Sequence, residues 1–141
     1  MKLIFLTLII LSFSLNAVVL ERKINGIVVD STGLQWQDNE ESKTLLLDWI
    51  EAVDYCQELN LGGFNDWRLP NINENKTLVY RENGDNTFII GFLNISYYNY
   101  WSSTTSAGDR GCAWVLEARY GKIFFENKYQ KNHVRCVRTG E

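Results

Sequence analysis

The segment DWIEAVDYCQELN, residues 48–60, carries the clearest helical period in this chain and limits its fold more than any other feature. Trp49, Ala52, Val53, Cys56 and Leu59 recur at spacings of three and four, so they share one face of a helix. Asp48 and Glu51 stand at capping-box spacing, with Asp in place of Ser or Thr. Gly62-Gly63 is expected to stop the helix, because glycine takes the left-handed conformation at little cost. Past Tyr100 the pattern changes to strand-like runs at 101–104, 112–119, 122–126 and 133–138, with Tyr120-Gly121 as a hairpin turn. Helices early and strands late, without βαβ alternation, predict an α+β fold built on an antiparallel sheet. At 141 residues, with no internal repeat or linker, the chain has room for one such domain, expected over 24–139.

Upstream of that helix, 24–29 and 34–37 read as short strands joined by the turn residues Asp30-Ser31-Thr32-Gly33. Downstream lies FNDWRLPNI, which holds the only proline, Pro70. Proline restricts Leu69 and pre-sets its own φ, and Asn71 or Asn73 can cap a second helix running to about Tyr80. Asp66 and Arg68 are expected to hold nearby backbone or opposite charges rather than a ligand. Residues 81–99 read as mostly loop, with a strand-like piece at 87–90.

The first residues have the form of a secretory signal. Met1-Lys2 is followed by an apolar run to Leu15, and Ser14-Leu15-Asn16-Ala17 offers a cleavage site, giving a signal peptide over 1–17. That run falls short of the roughly 20 residues a membrane-spanning helix needs, so no membrane association is expected after cleavage. The net charge of −3, or −4 once Lys2 is removed, comes without a Lys/Arg cluster, and nucleic-acid binding has no electrostatic support. Export to the periplasm or the extracellular medium permits disulfides. Cys56, Cys112 and Cys136 allow three single pairings on sequence alone.

Thr32-Gly33-Leu34-Gln35-Trp36-Gln37-Asp38, Glu51-Ala52-Val53-Asp54-Tyr55-Cys56, Asp66-Trp67-Arg68-Leu69-Pro70-Asn71, Tyr100-Trp101-Ser102-Ser103-Thr104, Ala113-Trp114 and Val134-Arg135-Cys136-Val137-Arg138 follow one another in this order. In that order they resemble the family named after the C-terminal domain of the collagen-like adhesin Lcl, over about residues 25–138. The resemblance implies a C-type lectin-like fold, with two helices packed on a twisted antiparallel sheet and a long irregular loop region. It implies that Trp67 packs in the core and that Cys56 and Cys136 form the family's structural disulfide. Cys112 lies outside the pattern. Where the family's second helix has a leucine after its glutamate, this chain has Asn75-Lys76, which points to a shorter or shifted helix. The named member is a surface adhesin that binds sulfated polysaccharides, which implies a glycan or a cell-surface protein as partner.

Catalytic signals are sparse. His133 is the only histidine, which excludes His-pair zinc sites, and no cofactor or metal is expected. Oxygen ligands gather at Asn83, Asp85 and Asn86, but Gly84 among them marks a tight turn more simply. The leading expectation is an exported, non-catalytic binding module contacting its partner through the 81–112 region. Tyr97, Tyr98, Asn99, Asp109 and Arg110 are its candidate binding residues, because aromatic faces beside Asn, Asp or Arg suit stacking on sugar rings. The alternative is an exported enzyme of unknown reaction that uses Cys112 or His133. The intact mass of protein recovered from its host is expected to lack residues 1–17; a species retaining Met1 contradicts the signal assignment.

Overall fold

The computed structural model describes residues 21–23, 25–82, 86–89 and 91–140, and the expected signal segment lies outside them. The elements run β1 (Glu21–Lys23), β2 (Ile27–Val29), β3 (Leu34–Gln37), α1 (Glu41–Thr44), β4 (Leu46–Leu47), α2 (Trp49–Glu58) and α3 (Ile72–Thr77). They continue with β5 (Val79–Glu82), β6 (Asn86–Ile89), β7 (Asn99–Thr105), β8 (Cys112–Glu117), β9 (Lys122–Asn127), β10 (Asn132–His133) and β11 (Val137–Thr139). The fold is α+β. Its strands form one sheet in the order β1-β2-β3-β11, a second in the order β4-β10-β7-β8-β9, and a separate β5-β6 hairpin.

Local chemistry explains most boundaries. Asn25 and Gly26, at φ of 79° and 75°, turn β1 back onto β2, as an Asn-Gly hairpin turn does. The ladder therefore extends upstream of residue 24. Asp30 closes the β2–β3 turn by accepting from the Thr32 and Leu34 N–H groups, while its other oxygen takes the buried Trp36 indole N–H at 2.8 Å. The expected capping box of α2 is present: the Asp48 carboxylate accepts from Glu51 N–H, and the Glu51 carboxylate accepts from Asp48 N–H. Asn71 and Glu74 repeat this device on α3.

Several sequence expectations are corrected. Helix α2 ends at Glu58 with Leu59 extended, so Gly62-Gly63 is not its cap. The two glycines turn the chain between Leu61 and Phe64, and a Cβ on Gly62 would stand 2.3 Å from the Ile27 Cδ1 atom. Helix α3 stops at Thr77 rather than Tyr80, because the Leu78 N–H closes its last turn on the Asn75 and Lys76 carbonyls. The stretch expected to be mostly loop contains the β5–β6 hairpin; β6 falls on the strand-like piece expected at 87–90, and β5 is additional. Helix α1 is additional to the two expected; it follows Asn39, whose carbonyl accepts the Ser42 hydroxyl. The expected final strand is two strands in different sheets, and β10 runs parallel to β7 where an antiparallel sheet was expected. Between them Cys136 bonds to Gln37, its carbonyl accepting from the Gln37 N–H and its N–H donating to the Gln37 side chain.

The main core holds Ile27, Ala52, Cys56, Trp67, Leu69, Trp101, Ala113, Val115, Val134 and Cys136 between the sheets and α2. Val28, Trp36, Leu78, Phe92 and Val137 make a second cluster. DWRLP links both sheets. Arg68 exchanges backbone hydrogen bonds with Val137 of β11, and the Pro70 carbonyl accepts from Ser103 N–H in β7. Trp67 is buried, as the resemblance implied, and its indole N–H is shared between the Leu61 and Phe64 carbonyls. Flanking charges go to separate internal partners: Arg138 clasps Asp66 at 2.6 and 3.1 Å, and Arg68 clasps Glu74 at 2.8 and 2.7 Å. The corner is structural.

Cys56 and Cys136 are joined, 80 residues apart in sequence, and Cys112 is free and buried. Closing so long a loop stabilises the fold by about 4 to 5 kcal/mol in the chain-entropy account, a large share of the roughly 5 to 15 kcal/mol of a small domain. Cys56→Ser or Cys136→Ser is expected to lower unfolding free energy by several kcal/mol in denaturant titration. Cys112→Ser, which keeps a donor for Asp109, is expected to change it by less than about 1 kcal/mol. Non-reducing peptide mapping checks the pairing, which a cross-linked peptide containing Cys112 contradicts.

Candidate functional site

Arg135 is the buried charge around which the irregular loop before β7 is organised. Its guanidinium donates to the Gln37 and Asn94 carbonyls, lies 3.4 Å from the Asp38 carboxylate, and stacks 3.9 Å from the Phe92 ring centroid. Asp38 in turn accepts from the Leu93 and Asn94 N–H groups at 3.0 and 2.8 Å. The Asn94 side chain donates back to the Asp38 carbonyl at 2.9 Å. A buried cation is tolerated when this many acceptors surround it, and here those acceptors belong to β3, the loop and the ring of Phe92. One ion pair therefore fixes where residues 92–94 run.

Further along the same loop the Ser96 N–H donates to the Tyr100 hydroxyl, and that hydroxyl donates to the Ser42 carbonyl at 2.9 Å. The Ser96 hydroxyl meets the His133 Nε2 atom at 2.8 Å. His133 is buried in β10, where burial pushes its pKa below the ordinary histidine value; the Leu45 backbone opposes that and the Arg135 charge reinforces it. Over this floor sit Tyr97 and Tyr98, 59% and 74% exposed, with the Tyr98 ring stacked on His133 at a centroid distance of 6.3 Å. Leu46, the β4 partner of His133, is also exposed. The outcome is an apolar, hydroxyl-bearing surface on a polar base that is bonded internally except at the buried His133 Nδ1 atom, which meets no hydrogen-bond partner among the described residues.

The five candidate binding residues do not form one site. Tyr97, Tyr98 and Asn99 enter β7, whereas Asp109 and Arg110 lie in the turn that leaves it. Six further residues of strand, 100–105, separate the groups, roughly 20 Å at the usual rise. Asn99 donates to Glu126, and the Asp109 carboxylate accepts from Gly111 N–H and the Cys112 thiol. Arg110 is exposed. Trp101 is core, and Tyr100, on the same face of the strand as Tyr98, is buried.

The residues suggested for catalysis are also apart. Cys112 bonds to Asp109 and His133 to Ser96, and burial together with the Asp109 bond pushes the Cys112 thiol pKa up, away from a reactive thiolate. Of the calcium candidates, Asn83 and Asp85 lie outside the described residues, as does Gly84; the backbone of Asn86 opens β6. Among the described residues no three His, Cys, Asp or Glu side chains gather as a metal-binding group. The sequence reading passed over Asp38, Asn94, Ser96 and Arg135. Arg135, a charge inside the apolar run Val134-Arg135-Cys136-Val137, was their one available signal.

Fold and surface together define a disulfide-closed α+β domain that presents aromatic side chains on a loop fastened from beneath by a buried ion pair. The chain belongs to the Lcl C-terminal domain family, whose model matches residues 26–138. A comparison with curated proteins finds no match.

Because His133 has a depressed pKa in the fold, the unfolded chain binds a proton more readily. The stability this provides is complete above the unfolded value near 6.5 and declines as pH falls through and below it. Melting temperature is expected to fall between pH 7 and pH 5, with His133→Gln flattening that slope. An unchanged slope in the variant assigns the effect to other groups.

Proposed function

We propose that this domain is an exported, non-catalytic binding module that recognises a glycan or a protein surface through Tyr97 and Tyr98. The observation that carries the reading is their exposure on a loop whose backbone is bonded to the buried Asp38 and Arg135. Aromatic rings held in place lose little entropy on binding, and their faces suit sugar rings or apolar protein side chains. Family membership supports an adhesin-like role and a C-type lectin-like arrangement of the sheets and helices. The Cys56–Cys136 disulfide is compatible with an oxidising compartment, and no helix among the described residues is long and apolar enough to cross a membrane. The enzyme reading has less behind it, since Cys112 and His133 have separate partners.

A glycan array that includes sulfated polysaccharides, probed with the oxidised chain, tests the proposal. Tyr98→Ala is expected to weaken the strongest binding by at least about tenfold, as a central aromatic contact does. Stability is expected to shift by less than about 0.5 kcal/mol, as for other surface substitutions. Arg110→Ala, at the far end of β7, is expected to leave binding intact. Equal loss in both variants moves the contact surface away from the tyrosines, and undiminished binding by Tyr98→Ala overturns it.

A further inference from the structure

Strand β9 ends the larger sheet, and among the described residues only β8 pairs with it. Its sequence is KIFFEN, and its register with β8 is unbroken over all six pairs, from Cys112–Asn127 to Glu117–Lys122. Natural sheets protect such edges with proline, bulges, charged side chains or inward-pointing charge, and here the charges Lys122 and Glu126 stand on either side of the aromatic pair. This edge has neither proline nor bulge, and Phe124 and Phe125 are both exposed on it. Phe125 meets Trp114 edge-on at 5.5 Å on one face, while Phe124 lies on the other. Tyr120 and Tyr129, just outside the strand, are exposed too.

We infer that β9 pairs antiparallel with β9 of a second copy of this chain, about a two-fold axis at Phe124, joining the two larger sheets into one. The charges select the occupant and the register. Directly opposed residues share a face, so the axis must fall on a residue rather than between two. An axis at Phe125 sets Lys122 against Lys128, like charge on like. An axis at Ile123 sets Lys122 against Phe124 and leaves Glu126 beyond the pairing. An axis at Phe124 sets Lys122 against the Glu126 of the other copy twice over, Ile123 against Phe125 twice, and Phe124 against itself. Opposite charges and aromatic–aliphatic pairs are the favourable cross-strand combinations. Glu126 accepts from the amides of Asn99 and Asn132 but meets no cation among the described residues, so Lys122 of the second copy supplies its counter-charge. The interface is isologous and closes at two copies. It is independent of Tyr97 and Tyr98.

Sedimentation equilibrium of the oxidised chain, over a series reaching about 0.5 mM to cover a weak interface, is expected to show a monomer–dimer equilibrium. Lys122→Glu is expected to raise the dissociation constant by about tenfold or more, and Lys122→Glu/Glu126→Lys to restore it. A Glu126 substitution disturbs the Asn99 and Asn132 bonds, so a second route uses cross-linking. With Cys112→Ser, Phe124→Cys is expected to oxidise to a disulfide-linked dimer, and Phe125→Cys, which faces Ile123, is not. A monomer throughout the series overturns the inference, and so does a dimer indifferent to Lys122→Glu. A monomer in which the β9 amides directed away from β8 resist hydrogen exchange places another segment of this chain on the edge, and growth beyond two copies indicates open strand stacking. Either of these also overturns it.

Discussion

The Arg135–Asp38 ion pair is the interaction on which the arrangement of this domain turns. A guanidinium removed from water costs several kcal/mol unless its donors are met, and every group that meets this one comes from a segment distant in sequence. Gln37 ends β3 and Asp38 follows it, Asn94 and Phe92 belong to the loop before β7, and Arg135 lies between β10 and β11. The same network therefore fastens the end of one sheet, the course of the loop and the passage of the chain between sheets. Removing Asp38 would take away the carboxylate that faces the buried Arg135 guanidinium, and removing Arg135 would take away the cation between Gln37, Asp38 and Asn94.

That passage, residues 132–139, is the structural centre in another sense. β10 is inserted between β4 and β7 of one sheet, and β11 pairs with β3 in the other, so eight residues serve both layers. The disulfide adds a third fastening, to α2, and Arg138 adds a fourth through Asp66. Asp66 lies in the DWRLP corner, which also touches both sheets through Arg68 and Pro70. The Arg138 guanidinium holds the Asp66 carboxyl below the usual carboxylate range, and Arg68 does the same to Glu74. Asp66 and Arg68, expected to hold backbone or opposite charges, thus serve as joints between layers.

Sequence reasoning reached what local chemistry decides. The α2 period and its Asp48–Glu51 cap, the Asp30–Gly33 turn, the β8–β9 hairpin and the family motifs were all legible. Asn25-Gly26 was equally legible as a hairpin signal and would have extended the first sheet upstream. The split of 133–138 left only a faint trace in sequence, the adjacent apolar pair Cys136-Val137 that breaks the alternation where β11 begins. What separates β10 from β11 is a tertiary bond to Gln37, invisible in a local window. The candidate site was half legible. Tyr97 to Trp101 is aromatic at nearly every position, so composition alone does not separate the exposed Tyr98 from the buried Tyr100. The contact with Ser42, 58 residues away, decides it. Asp109 and Arg110 were grouped with the tyrosines by sequence proximity, which a seven-residue strand undoes.

The proposed binding surface rests on one claim: the loop that presents Tyr97 and Tyr98 is set by Arg135 and Asp38 in the free chain. A loop of that kind binds without first being ordered, and so avoids the entropy cost that a mobile one incurs. Hydrogen exchange of the free, oxidised chain tests this at Leu93, Asn94 and Ser96, whose N–H groups donate to Asp38 and to the Tyr100 hydroxyl. The account predicts that these three amides exchange far more slowly than in an unstructured peptide, and that Arg135→Met accelerates them selectively. Exchange at unstructured-peptide rates in the unaltered chain would contradict it.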